Sequence, residues 1–298
     1  MHCRACLRRF FAGAILFLLI YFIVFRRRSP RAFLTERDLN SFSRQTVSQR
    51  RIPRIIHQTW RTRRVPERWN RTVESVRRYN AVQFEYRLWT DDDIHEFVRE
   101  KEADFYQHTF VKYPLNIQRV DAFRYVVLYH LGGIYIDMDN GCSQSFESLL
   151  VALEARDPQS THLAAFPRTS PIGISNGFMI STQGHPLFNI LISRLLLFNH
   201  NYLIDYLTVM MTAGPTYLSI NEFYFSSKSA TVRVIDEIVY SSIYTWHTPG
   251  NSWHGRDAQW ILYIYHRIRK LSRTKLICVV LIFASAILLI FCRRRKSR

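Results

Sequence analysis

Hydrophobic positions along this chain follow three rhythms, and each predicts a different kind of element. Residues 10–25 and 276–292 are apolar without a single charge. Each run is slightly short of the roughly 20 residues that span a typical bilayer, yet both read as membrane helices rather than core. Arg8 and Arg9 precede the first and Arg26, Arg27 and Arg28 follow it; Lys275 precedes the second, with Arg293, Arg294, Arg295 and Lys296 after it. Such flanks hold helix ends at the headgroups. No small-x-small cleavage pattern precedes the first arginine run, so an anchor is preferred over a cleavable signal peptide. Two spans would put both termini on one side of the bilayer.

Between the runs the rhythm becomes that of an α/β domain. Ile55 and Ile56 predict a buried strand that ends at His57 and Gln58. Pro66 opens a helix to Tyr79, and residues 84–89 alternate as a strand. Asp91, Asp92 and Asp93 suit the N-terminus of a helix reaching about Glu100, where the dipole favours negative charge. Ile117, Val120, Val127 and Leu131 recur at helical spacing. Gly132-Gly133 stops that helix, because glycine accepts the left-handed conformation of a helix end, and residues 134–136 form a short strand. Further strands are predicted at 163–166, 176–181 and 231–235. A loop is expected at 167–174, a helix from Pro186 to Asn199, and another restarting at Pro215. This alternation predicts a mainly parallel sheet. The expected organisation is a tail (1–9), a span (10–25), a basic stem (26–51), one catalytic domain (52–256), a juxtamembrane segment (257–275), a span (276–292) and a basic tail (293–298).

Composition changes this picture in two respects. The net charge is +18, from 41 basic and 23 acidic residues, much of it in the stem and flanks. It suits anchoring on anionic lipid and an anionic substrate such as a nucleotide diphosphate or phospholipid. No nucleic-acid motif accompanies the charge, and a nucleic-acid partner is not expected. Of five cysteines only Cys142 lies in the expected domain, which excludes an internal disulfide and a cysteine metal site. Cys3 and Cys6 are candidates for acylation. Asn70-Arg71-Thr72 is an N-glycosylation acceptor sequence if the domain is lumenal.

The chemistry concentrates in Asp121-Ala-Phe-Arg124-Tyr125, an apolar run, then Gly132-Gly133-Ile-Tyr-Ile-Asp137-Met138-Asp139. Asp121 and Arg124 lie one helical turn apart on one face. Asp137 and Asp139 follow a strand, and in an open α/β sheet ligands bind beyond the carboxyl ends of strands. Alternation puts the two carboxylates on one face with Met138 opposite. So close a pair repels unless a cation lies between, and its oxygens suit Mg²⁺ or Mn²⁺. The Arg124 fork can bind a diphosphate or sugar, or simply pair with Asp121.

These blocks, with residues 52–60 (Ile-Pro-Arg-Ile-Ile-His57-Gln58-Thr-Trp60) and Leu88-Trp89-Thr90-Asp91, resemble the DXD sugar-transferase family (glycosyltransferase family 32) that includes the fungal outer-chain-initiating mannosyltransferases. Thr169-Ser-Pro-Ile-Gly-Ile-Ser175-Asn176, Thr212-Ala-Gly-Pro-Thr-Tyr-Leu, Asn251-Ser-Trp253-His254 and the second apolar run are most similar to the catalytic subunits of mannosyl-inositol-phosphorylceramide synthases. The resemblance implies a GT-A-type, Rossmann-like single catalytic domain between N- and C-terminal transmembrane helices. It implies a retaining transfer of mannose from GDP-mannose to inositol phosphorylceramide with Mn²⁺ or Mg²⁺. It also implies a Golgi membrane location with a lumenal catalytic domain and cytosolic termini, and association with a membrane-embedded regulatory subunit. In that frame Asp137 and Asp139 hold the metal, His254 is the third ligand with His247 as its competitor, and His57, Gln58, Trp60, Asp121, Arg124 and Ser175 face the donor. Ser175 and Asn176 approach the reacting sugar or acceptor, and no nucleophile is named. Independently of the resemblance, Phe223, Tyr224, Phe225, Tyr240, Tyr244 and Trp246 are candidates for a membrane-facing acceptor entrance, with core packing as the alternative. The alternatives are a mannosyl- or galactosyltransferase acting on glycoprotein glycans or another glycolipid, a haloacid-dehalogenase-type phosphatase, and a non-catalytic membrane subunit.

Overall fold

The computed structural model describes residues 33–45, 49–168, 173–225, 227–248 and 250, with helical residues at 257–260, 263 and 267. Both long apolar runs, Trp253, His254 and most of the juxtamembrane segment lie outside the described residues. Among the described residues no helix is long and apolar enough to cross a membrane. The chain divides into two units, Met1–Trp253 and His254–Arg298. In the second, Trp260 meets Tyr263 edge-on at 6.2 Å.

The first unit is built on nine strands and nine α-helices among its described residues. In chain order they are β1 (Phe33–Leu34), α1 (Glu36–Phe42), β2 (Ile55–Thr59), α2 (Glu67–Asn80), β3 (Glu85–Trp89), α3 (Asp91–Lys101), α4 (Ala103–His108), α5 (Asn116–Leu131), β4 (Gly133–Ile136), β5 (Asn140–Cys142), α6 (Glu147–Arg156), β6 (His162–Pro167), β7 (Phe178–Ser181), α7 (Pro186–Phe198), α8 (Asp205–Thr212), α9 (Pro215–Tyr224), β8 (Ala230–Ile235) and β9 (Thr245–His247). Seven strands form one sheet in the order β1-β8-β6-β7-β4-β2-β3, and β5 pairs with β9 in a separate ribbon. Only β7 runs against its neighbours; the other pairings in the large sheet are parallel. The expected mainly parallel α/β sheet is present.

Helices cover both faces, so its central strands are apolar on both sides. Tyr135, Ala164, Phe166 and Met179 pack on one face with Phe123, Val127, Phe188 and Tyr217. Ile134, Ile136, Leu163, Ala165, Phe178 and Ile180 pack on the other with Val76, Leu149, Leu150 and Leu153. The two-residue period of the strands sorts side chains between the cores. Thr90 caps α3 through a reciprocal box with Asp93, as the run of aspartates predicts. The α5 helix is buried nearly all round. Ile117 and Val120 at its start face a cleft, while Val127 is core, so the four apolar positions used to locate this helix do not mark one buried stripe. Gly132 ends it at φ +66°, and Gly133 follows at φ +93° with no room for a Cβ, which would lie 2.4 Å from the Ile55 carbonyl oxygen.

The domain boundary differs from the sequence expectation. Residues 33–42 fall in the presumed stem, yet Phe33 and Leu34 pair with Val234 and Ile235 as the sheet's edge strand. Leu34 and Leu39 are buried in the second core. A second tie lies where the chain approaches β2. The Glu154 carboxylate, fully buried, accepts from the backbone N–H of Arg51 and Ile52 and from both Nη of Arg54. Arg54 also forks onto Glu147. The sequence reading did not anticipate β1, α1, α6 or the β5–β9 ribbon.

Candidate active site

The parallel strands β2, β3 and β4 all point their carboxyl ends at one cleft of about 470 Å³. Thr59, Trp60, Arg61, Trp69, Asp91, Arg124, Asp137, Met138, Asp139 and Asp205 are among the residues that line it. A sheet of this class binds ligands at that end, because backbone N–H groups and loop side chains converge there while the strands keep the floor rigid.

Asp137 is the first residue beyond β4. Its N–H donates to the Gly177 carbonyl at 2.8 Å, and its carboxylate accepts from Tyr135 Oη at 3.0 Å. Tyr135 in turn shares a 2.9 Å hydrogen bond with Thr59 Oγ1. Arg124 braces the same carboxylate with Nη2 at 2.9 Å from Oδ1 and Nη1 at 3.3 Å from Oδ2. Two glycines make room for the acids. A Cβ at Gly177 would lie 2.6 Å from Asp137 Oδ2, and one at Gly250 would lie 2.7 Å from Asp139 Oδ2. Asp139 Oδ2 is 3.1 Å from His247 Nε2, and that hydrogen bond raises the imidazole above its ordinary value. His247, delivered by β9, is thus the histidine beside Asp139 among the described residues; His254 lies outside them. Met138 lines the cleft too, so the expected in–out alternation across these three residues is broken by the turn that follows β4.

Behind Asp137 lies a buried relay. Arg124 Nη2 sits 3.3 Å from Asp121 Oδ1, Asn176 Nδ2 donates to the same oxygen at 3.0 Å, and Arg124 Nη1 donates to the Asn176 carbonyl at 2.8 Å. The guanidinium also lies over the Tyr135 ring at 4.7 Å. Burial opposes the Arg124 charge, but Asp137 and Asp121 outweigh it and keep it protonated. Burial raises the Asp137 carboxyl to about 6, with Arg124 opposing and Asp139 adding to the rise. Asp121 is likewise pushed up by burial against the pull of Arg124.

Of the predicted site residues, the structure gathers Trp60, Arg124, Asp137 and Asp139 around the cleft. The other predicted residues that the structure describes are not among its lining residues. Asp121 and Asn176 are buried behind Arg124 and hold its guanidinium. His57 is fully buried; Trp89 Nε1 donates to its Nδ1 at 3.1 Å and its Nε2 bonds the Gly132 carbonyl at 2.9 Å. Burial lowers its pKa to about 4, and it is a neutral spacer between β2, β3 and the end of α5. Gln58, also fully buried, accepts from Tyr86 Oη and reaches the Asp137 carbonyl from behind. Ser175 Oγ accepts from the Gly177 N–H, supporting the turn that backs Asp137. The predicted aromatic entrance is dispersed: Tyr240 and Tyr244 belong to one core, Phe225 packs against the other, and Trp246 lies elsewhere. Sequence reasoning missed Tyr135 and Thr59. Tyr135 stands two residues before Asp137, which places it on the same strand face, a signal present in the sequence.

The acids fit a hard divalent cation. Their oxygens converge on one cleft, and the burial that raises Asp137 is what a bound cation would offset. Among the described residues no group of three His, Cys, Asp or Glu side chains is arranged to hold a metal.

Comparison with known proteins gives the lineage. Residues 66–155 match the family described as "Glycosyltransferase sugar-binding region containing DXD motif". Inositol phosphoceramide mannosyltransferase 1 of Schizosaccharomyces pombe is 33% identical over 95% of this chain and 88% of its own length. Inositol phosphoceramide mannosyltransferase 2 of the same yeast is 37% identical over 76% of this chain, which spans 64% of that relative. Among solved structures, the PaToxG glycosyltransferase aligns over 73% of this chain and 79% of its own at 17% identity and a TM-score of 0.42. With one relative matched nearly end to end, and the DXD acids seated at the carboxyl end of a parallel sheet, the chain belongs to the DXD-containing glycosyltransferase family.

Proposed function

We propose that the protein is a retaining, metal-dependent mannosyltransferase of the GT-A type that moves mannose from GDP-mannose to inositol phosphorylceramide. The observation that carries the reading is the pair Asp137 and Asp139 in one cleft, the first braced by a buried arginine. The near full-length likeness to a yeast inositol phosphoceramide mannosyltransferase supports the choice of sugar and lipid.

In this reading Asp137 and Asp139 hold Mn²⁺ or Mg²⁺, which offsets charge on the departing nucleotide diphosphate. Arg124 keeps Asp137 ionised and oriented, and Asp121 and Asn176 keep Arg124 in place. Tyr135 donates to the Asp137 carboxylate and is itself held by Thr59. Trp60 offers a ring on which a base or sugar can stack. The tight turn at Gly177 lets the backbone close behind the carboxylate, so water is excluded from that side. Same-face departure and attack is the working mechanism.

The membrane setting belongs to the same proposal: apolar anchors at 10–25 and 276–292, a lumenal Golgi domain and a membrane-embedded regulatory subunit. The test supplies membranes carrying the protein with GDP-mannose, UDP-galactose or UDP-glucose separately and identifies lipid products by mass. GDP-mannose alone should mannosylate the inositol phosphosphingolipid, and chelator should stop it. Transfer only to protein glycans would reject the lipid assignment. Phosphate release from a phosphomonoester that disappears in Asp137→Ala would reject sugar transfer altogether.

A further inference from the structure

A second pocket, of about 410 Å³, opens between α2 and the β5–β9 ribbon. Arg71, Glu74, Ser75 and Arg78 line it from α2. Their spacing of three, four and seven residues places them in one stripe on the helix. Trp246 and Cys142 face them from the ribbon. The Arg71 guanidinium lies 4.9 Å from the Trp246 ring centroid, and that of Arg78 lies 4.9 Å from the Tyr79 ring. Neither guanidinium forms an ion pair among the described residues. A stacked guanidinium keeps its in-plane N–H edge available, and that edge matches phosphate oxygens.

The pocket floor is built, not incidental. Trp246 lies flat on Gly141, where a Cβ would come within 2.1 Å of the ring, and its Nε1 donates to the Cys142 carbonyl at 3.3 Å. Burial raises the Cys142 thiol to about 11, so it stays neutral and adds no negative charge. Glu74 is the one carboxylate in the lining, against two arginines.

We propose that this pocket is a second anion site, which takes a phosphate ester between Arg71 and Arg78. It shares its framework with the candidate active site. The α2 helix carries Trp69, which lines the cleft, two residues before Arg71 of this pocket, and β9 carries His247 beside Asp139 next to Trp246. Trp69 and Arg71 project from roughly opposite sides of α2, and Trp246 and His247 from opposite faces of β9, so pocket and cleft share a framework and not a wall. An inositol lipid headgroup as the source of the phosphate ester rests on the function proposed above; the anion site itself does not.

The test is calorimetric titration of the purified full chain, with chelator present so that no metal-bound donor site competes. The probes are inorganic phosphate, myo-inositol 1-phosphate, glycerophosphoinositol and plain myo-inositol. The phosphate-bearing probes should bind and myo-inositol should not. Arg71→Gln with Arg78→Gln should weaken binding at least tenfold, while Arg68→Gln, on the same helix outside the pocket, should leave it unchanged. Tighter binding of the two esters than of phosphate supports a lipid headgroup; equal binding supports a free-phosphate site in the same pocket. Both arginines are exposed, so the variants should keep the wild-type unfolding temperature, which checks that they fold. No binding by the wild-type chain, or binding untouched in the double variant, overturns the proposal. Metal-dependent GDP-mannose binding, measured separately, should survive in the double variant. Its absence from the wild type would count against the donor reading alone.

Discussion

Replacing Glu154 with glutamine should cost the domain more stability than its conservative size suggests. The carboxylate is fully buried and accepts four hydrogen bonds, two from backbone N–H groups of Arg51 and Ile52 and two from the Arg54 guanidinium. Glutamine preserves the volume, so no cavity forms. It removes the charge opposite Arg54 and turns one acceptor into a donor facing donors. Breaking one side of a buried pair typically costs about 3–5 kcal/mol. Arg54 retains Glu147 as a partner, which places the expected loss near the lower end, at about 3 kcal/mol. For a domain of this size each kcal/mol lowers the midpoint by about 2–4 °C, so Glu154→Gln should lower Tm by about 6–12 °C. Thermal unfolding of the full chain, followed by tryptophan fluorescence, measures it. The cluster lies away from the cleft, so transfer per folded molecule should hold below the new midpoint. A Tm within about 2 °C of wild type would refute the argument that this carboxylate ties the chain to β2.

Other outcomes follow from the site and the cores. Asp137→Asn or Asp139→Asn should lower sugar transfer by about a hundredfold or more, as losing a charge-stabilising group does; near wild-type turnover would remove both from the metal site. Arg124→Lys should reduce transfer and stability together, since one ammonium cannot span Asp137, Asp121 and the Asn176 carbonyl; activity assay and melting of the same preparation decide. Gly133→Ala should lose about 1–3 kcal/mol from φ strain alone, plus the overlap with Ile55, read from denaturant titration. Burial lowers His57 and His185 to about 4 from 6.5. Between those values the unfolded chain binds more protons at these two sites, so their contribution to stability is full above pH 6.5 and is lost as the pH drops toward 4, by up to about 3 kcal/mol per histidine. The raised Asp121 and Asp137 carboxyls act in the opposite sense over the same range, so each imidazole is followed by its own NMR titration, and ionisation of either near 6.5 in the folded chain would refute the argument.

The sequence exposed the parts of this molecule that local chemistry dictates. Gly132-Gly133 marks the α5 end because only glycine tolerates those dihedrals, and Thr90 with Asp93 marks a helix start by mutual hydrogen bonding. Asp137 and Asp139 were legible as cleft residues because a strand leads straight to them. What local pattern could not carry was the third dimension. His57 and Gln58 stand at a strand's carboxyl end, where a ligand-facing role is natural, yet Trp89 and Tyr86 on the neighbouring β3 close over them. Asp121 and Asn176 are 55 residues apart, and no periodicity links them. The β5–β9 ribbon pairs residues about a hundred positions apart, so nothing near Asp139 foretold that His247 would stand beside it. Phe33 and Leu34 looked like part of a polar stem because a two-residue edge strand has too few positions to show a rhythm.

That short edge strand also sets a leash. With residue 33 hydrogen-bonded into the sheet, only eight peptide steps separate it from residue 25. Even fully extended they reach about 27 Å, whereas a free stem running to residue 51 could reach roughly 85 Å. Whatever fixes residue 25 therefore keeps this edge of the enzyme within one small-domain diameter of its mooring. However those eight steps are arranged, the catalytic body cannot roam.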